Sequence, residues 1–243
     1  MSSSDTEVHG GFKIQNWYPK LTEHSFPAVF VLLEESEKQA LTADEPDAKV
    51  VGGLLLRLQP ALKQFSGPRF ISVDTVSPTD TERFQSKRGA VHSAESAWRI
   101  LRESQKVREA AGEGKVSCIC VRPFRRMQPA REFRLFVKNG RLSGMSQYWL
   151  IRHFRRLQGR LDFYWTRAAD FIDDVSGHLP VKDAAVDIYF TSGGKILIVD
   201  INPWGAPTNP LMLDTWDRDW GTPSGCVIVP PPHVVSGDVN VSF

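Results

Sequence analysis

The residues best suited to chemistry gather near the C-terminal end of the sequence. Asp187, Asp200 and Asn202 fall on two short runs, 184–190 and 195–202, joined by Thr191-Ser192-Gly193-Gly194. The runs are rich in Val, Ile and aromatic residues, and Gly-Gly between such runs signals a β-hairpin. A two-residue loop at Gly193-Gly194 pairs Ser192 with Lys195 and so sets Asp187 opposite Asp200. Strand side chains alternate, so Asn202 shares that face. A loop at Ser192-Gly193 keeps the same face, with Asp187 diagonal to Asp200. Opposed carboxylates about 4.5–5.5 Å apart destabilise a sheet. A hard cation between them removes that cost. Asp and Asn oxygens are what Mg²⁺ takes, together with waters and a phosphate. The plain alternative is three polar positions on a solvated hairpin face.

A second hairpin supplies a cation. Residues 131–138 turn at Asn139-Gly140, the preferred type I′ pair, and return over 141–149. Pairing Lys138 with Arg141 places Glu132 opposite Gln147 and Arg134 opposite Met145. One face then carries Phe133, Leu135, Val137, Leu142 and Gly144. The other carries Glu132, Arg134, Phe136 and Gln147. An arginine flanked by aromatics on an inner sheet suits a phosphate clamp. A Glu132–Arg134 ion pair facing solvent is the simpler reading.

These hairpins need a scaffold. The chain has 243 residues, enough for one large domain or two small lobes. A hydrophobic content of 41% and a charged content of 24% are those of a soluble globular protein. A net charge of +2 argues against a broad nucleic-acid surface, although arginines cluster at 122–131 and 152–167. Three cysteines give no disulfide framework, and Cys118 and Cys120 read as core. The start has neither a basic region nor an apolar run, and no stretch reaches ~18 apolar residues. Together these lead us to expect a cytoplasmic protein that does not enter a membrane.

The upstream elements are less sharply marked. Val50 to Leu58 reads as an apolar strand, opened by Gly52-Gly53 and carrying a lone Arg57 that points into a cleft. Residues 59–80 read as a loop, with Lys63 and Ser66-Gly67-Pro68-Arg69 suited to covering a phosphate, though without a Walker pattern. Ser93 to Ala111 has the spacing of one helix capped by Ser93. Lys115 to Val121 is a strand. The expected layout is a disordered lead over 1–11, lobes over 12–120 and 121–220, and a tail over 221–243.

Glu132-Phe133-Arg134-Leu135-Phe136-Val137 with Ser146-Gln147, and Val186-Asp187 with Asp200-Ile201-Asn202-Pro203-Trp204-Gly205, together resemble the cell-division-cycle protein 123 family. The similarity runs from about Trp17 to Trp220 and looks most like the compact prokaryotic-type members. The resemblance implies an α+β fold of the ATP-grasp kind, with two lobes whose antiparallel sheets enclose a nucleotide cleft. It implies ATP and magnesium as cofactors, with Asp187, Asp200 and Asn202 on the metal and Arg134 on the phosphates. Glu132 and Gln147 accompany Arg134 in that motif. Val121, Arg122 and Pro123 would form the hinge strand against adenine. For the phosphate-binding base of the first lobe, Gly52-Gly53 aligns Arg57, whereas Ser66-Gly67-Pro68-Arg69 matches the family's Ser-x-Pro-Arg/Lys and selects Lys63. Phe70 stands where that loop usually carries Asp.

The resemblance implies a site and leaves the reaction open. Eukaryotic members look like ATP-dependent assembly factors for translation initiation factor 2, so a protein partner is expected. ATP-grasp relatives at large are carboxylate–amine ligases, and a ligase or a kinase-like phosphotransferase is the alternative. A nucleic-acid modifier, resting on the arginines of 152–160, is the third reading.

Overall fold

The computed structural model describes residues 10–232. Most of the lead expected over 1–11, and the end of the tail from 233 onward, lie outside the described residues. Two antiparallel sheets organise the rest. The smaller has the order β1 (Val29–Leu32), β3 (Cys118–Pro123), β2 (Arg69–Val73). The larger has the order β7 (Ile196–Pro203), β6 (Ala184–Phe190), β4 (Glu132–Lys138), β5 (Arg141–Gln147), β8 (Cys226–Val227). Only β8 runs parallel to its neighbour. Two α+β lobes with a cleft between them is the class expected from the sequence. Among the described residues no helix is long and apolar enough to cross a membrane.

Each sheet has its own core. The small sheet packs on α3 (Ala48–Lys63), α5 (Ala94–Glu103) and α6 (Gln105–Gly112) through Leu54, Leu58, Ile100, Leu101 and Val107. The large sheet packs on α8 (Leu161–Val175) through Ala168, Ile172 and Val175 against Leu135, Val186 and Ile188. Phe12, Ile14, Trp17 and Leu21 precede β1 in the chain, with α1 (Ile14–Trp17) among them. They nonetheless lie in the core of the large sheet.

The segment expected as a strand over 50–58 is the middle of α3. Asp47 caps that helix, its carboxylate accepting from Lys49 N at 2.7 Å. Leu54, Leu58, Ala61 and Leu62 make the i, i+4, i+7, i+8 stripe of a helix that buries one side. The single helix expected over 93–111 is two. Ser104 is extended (φ −79°, ψ 118°), and its hydroxyl caps α6 by accepting from Val107 N at 3.2 Å. That hydroxyl also donates to Asp80 at 2.6 Å. A cap with two partners competes with helix continuation.

Both hairpins form, and both contain a bulge. Asp187 does pair with Asp200. The loop, however, is the three residues 192–194, closed by Thr191 N to Lys195 O at 2.8 Å. That loop alone would set Asp187 against Val199. A bulge at Val199 restores the pairing with Asp200. In the other hairpin Lys138 pairs with Arg141 as expected, and a bulge at Ser143 then shifts the register by one. Arg134 therefore faces Ser146, not Met145, and Gln147 faces Phe133, not Glu132. Gly144 sits where a Cβ would lie 2.8 Å from both Leu213 Cδ1 and Ser224 Oγ, so only glycine lets the 211–224 segment close over the sheet.

Candidate functional site

A cleft of about 960 Å³ opens between the sheets, with Ser72, Arg122 and Pro123 on one wall and Glu132, Asp187 and Asp200 on the other. The large sheet turns two kinds of face to its surroundings. Phe133, Leu135 and Val137 of β4 go to the core, so Glu132 and Arg134 emerge on the cleft side. The Asp187 and Asp200 side chains emerge there from β6 and β7.

Arg134 and Asp187 are cross-strand neighbours and lock in a bidentate pair. Nε donates to Oδ1 at 2.7 Å and Nη2 donates to Oδ2 at 2.8 Å. Both residues are buried, at 6% and 5% exposure. The remaining Nη1 donates to Asn209 O at 2.7 Å. Tyr148 stacks on the guanidinium at 5.5 Å. Asn202 Nδ2 donates to Asp187 Oδ2 at 3.1 Å. Arg134 is thus a fixed support for Asp187 rather than a free clamp in the cleft.

Asp200 forms no ion pair among the described residues and accepts only from Ile201 N at 3.0 Å. Burial pushes its carboxyl up to about 7, the Asp187 charge adds to that rise, and Arg122 opposes it. Burial, with the Asp187 charge behind it, also lifts Glu132 to about 7 against a hydrogen bond from Trp149. Arg122 donates through Nη1 to Val199 O at 2.9 Å, while its buried Nε has no partner. The cleft therefore holds two facing carboxylates, one guanidinium committed to the first, and one guanidinium half satisfied beside the second.

The donor set fits a hard divalent cation. It contains two carboxylates and an amide, all oxygen ligands, in a place where negative charge is under-compensated. Asp187, Asp200 and Asn202 are the residues that would hold it.

The other expected site residues divide. Pro123 lines the cleft with Arg122. Val121 is fully buried in the small-sheet core. Gln147 lies on the far face of its sheet, where Nε2 donates to Arg152 O at 2.9 Å and Oε1 accepts from Val229 N at 3.3 Å. The Ser143 bulge put it there. Arg57 sits on the outer side of α3, donating to Leu32 O at 2.9 Å and pairing with Glu37. Lys63, Ser66 and Gly67 are exposed at the end of α3, outside the cleft lining.

The cleft wall from the small lobe comes instead from Phe70, Ser72 to Ser77, Thr79, Phe84, Gln85, Arg88 and Lys106. The sequence carries a signal for this in Lys87-Arg88-Gly89, where Arg88 (φ 53°) and Gly89 (φ 77°) stop α4 (Glu82–Lys87) in left-handed geometry. At the back of this wall Asp74 is 2% exposed. Burial would raise its carboxyl, but hydrogen bonds from Ser117, Cys118 and Gln15 hold it low.

Comparison with known proteins agrees with this architecture. The D123 family model matches residues 84–218. A translation initiation factor eIF2 assembly protein of Vanderwaltozyma polyspora is 34% identical over 94 residues, 38% of this chain and 25% of that protein. One from Danio rerio is 28% identical over 101 residues, 41% of this chain and 29% of that protein. The matched stretch thus spans little more than a quarter of the length of these relatives. The solved structure of Cdc123 from Schizosaccharomyces pombe superposes with a TM-score of 0.79 at 17% identity, over 92% of this chain and 97% of that one. The similarity to that structure is one of fold.

Proposed function

Since the chain belongs to the D123 family, we propose that it binds ATP with magnesium in the cleft between its two sheets and uses that bound state to act on, or assemble, a protein partner. The observation that carries the nucleotide reading is the Asp187–Asp200 pair, a buried and a half-buried carboxylate opposed across β6 and β7 at the cleft wall, with the one bidentate guanidinium, Arg134, on the side of Asp187 away from Asp200. Such a pair is costly unless positive charge joins it. Magnesium supplies that charge and screens the phosphates of ATP. Asp187, held by Arg134 and Asn202, keeps its carboxylate oriented; Asp200, with one backbone partner, is free to turn toward a ligand. The partner reading is supported by the relatives, which are named as eIF2 assembly proteins.

Calorimetric titration with ATP, with and without magnesium, tests the proposal. Magnesium-dependent binding is expected, and it falls by more than tenfold in Asp200→Ala/Asn202→Ala. Unchanged binding in that variant would sink the reading. A second reading, ATP-dependent ligation or phosphoryl transfer, is favoured by one observation: the unpartnered Nε of Arg122 beside Asp200 suits a carboxylate or an acylphosphate oxygen. Release of ADP that depends on an added carboxylate or amine acceptor, and is lost in Arg122→Met, would select it.

A further inference from the structure

The stretch 114–161 has twelve Lys and Arg against one acid, Glu132, in a chain whose net charge is only +2. The fold concentrates five of these charges at one place. The crossing from β3 to β4 carries Arg125 and Arg126, and the loop after β5 carries Arg152, Arg155 and Arg156; all five are exposed. Arg156 Nη2 donates to Gln128 Oε1 at 3.3 Å, which ties the two segments side by side. Arg125, Arg126, Trp149 and Ile151 all line the mouth of the cleft. None of the five arginines forms an ion pair among the described residues. Exposed arginines in a globular protein of nearly balanced charge ordinarily find acids; these five have none within ion-pair distance among the described residues.

The same place exposes apolar side chains. Trp149 is 38% exposed, Leu150 44% and Ile151 66%, three in a row. Consecutive exposed apolar residues rimmed by charge mark an interaction site. Arginine and tryptophan are the side chains that dominate protein–protein contacts.

We infer that the mouth of the cleft is a docking surface for an acidic stretch of polypeptide carrying an apolar anchor. The acids meet Arg125, Arg126, Arg152, Arg155 and Arg156, and the anchor packs on Trp149 and Ile151. Leu150 and Ile151 favour polypeptide over nucleic acid, because exposed aliphatic side chains offer nothing for a base to stack on. A segment docked here lies across the entrance to the nucleotide cleft. The inference rests on the part of the proposed function that assigns a protein partner, and it states the chemistry of that partner.

The probe is a labelled peptide of Glu and Asp around one Leu-Phe pair, followed by fluorescence anisotropy. Its controls are the same peptide with Ser-Ser at the pair, and a uridine oligonucleotide of equal charge. Expected are salt-sensitive binding of the first peptide, at least fivefold weaker binding of the Ser-Ser peptide, and a loss of tenfold or more in Arg125→Glu/Arg126→Glu. Ile151→Ser weakens the first peptide severalfold. ATP affinity is read in Arg152→Glu/Arg155→Glu, whose side chains lie outside the cleft lining: peptide binding falls severalfold there while ATP affinity stays within twofold.

Absence of peptide binding, equal binding of both peptides, or indifference to the variants overturns the inference. So does tighter binding of the oligonucleotide that the same variants abolish. ATP titration on the same preparations separates the two claims. Peptide binding without ATP binding removes the nucleotide reading and leaves the docking surface. ATP binding without peptide binding removes the docking surface alone.

Discussion

Arg134 and Asp187 hold each other in a place where neither tolerates solitude. Removing one partner of such a buried pair costs about 3–5 kcal/mol, because the survivor keeps its charge without compensation. Asp187→Ala and Arg134→Ala should each lower the unfolding free energy from urea melts by that amount, while Arg134→Met/Asp187→Leu should lose far less than the sum. A double variant as damaged as the two singles added together would show that the pair is not the coupled unit the geometry describes. Glu132 gives a pH signature. Its carboxyl lies near 7 in the fold against an ordinary 4.5, so the folded state holds the proton more tightly than the unfolded state. The resulting stabilisation is full below pH 4.5 and is lost as pH rises through 7. A shift of that size corresponds to roughly 3 kcal/mol. Stability followed by denaturant melts between pH 5 and 8 should therefore fall with pH, and Glu132→Gln should flatten that slope. An equal slope in the variant would assign the dependence elsewhere.

At the level of elements, the hairpins were legible and their bulges were not. Asn139-Gly140 fixed one turn, because both positions take positive φ readily. Its bulge at Ser143 answers to the close approach of Leu213 and Ser224 at Gly144, residues some seventy to eighty positions away that no local pattern reports. Hence Arg134 was placed on the correct face but against the wrong neighbour, and Gln147 on the wrong face. The Asp187–Asp200 pairing came out as expected through two departures that cancel, a longer loop and the Val199 bulge. In α3, Gly52-Gly53 and Val50-Val51 imitate a strand opening, whereas the Leu54, Leu58, Ala61, Leu62 stripe has the helical period. Gly144→Val should cost about 1–3 kcal/mol by overpacking against Leu213, measured by thermal melting. A neutral result would mean the 211–224 segment yields without cost.

Across the whole molecule, the two lobes were visible in composition and motif, but the small-lobe wall of the cleft was not. Lys63, Ser66 and Gly67 have the chemistry for a phosphate, but the chain passes them on the outside and returns to the cleft only at Phe70. Nor did anything near the N-terminus announce that Trp17 belongs under the large sheet, since burial there depends on contacts more than a hundred residues distant. Trp17→Ala should destabilise the large lobe by about 3–5 kcal/mol, with hydrogen exchange on β4 and β6 accelerating before that on β2. Exchange accelerating first in the small sheet would assign that segment to the other lobe.

That N-terminal segment has a consequence for motion. Its apolar residues are embedded beneath the large sheet, while Lys13 and Gln15 reach the small lobe, where Lys13 Nζ lies 3.2 Å from Asp74 and Gln15 Nε2 lies 2.9 Å from Ser117. Ile14 N donates to Asp74 O at 3.1 Å between them. The lobes are thus tethered twice, by the crossing from β3 to β4 and by this strand of early chain. Two tethers define an axis where one would leave a swivel. Any opening of the cleft is then confined to rotation about that line, with Asp74 beside one tether and Asp200 beside the other, where Arg122 reaches Val199 O.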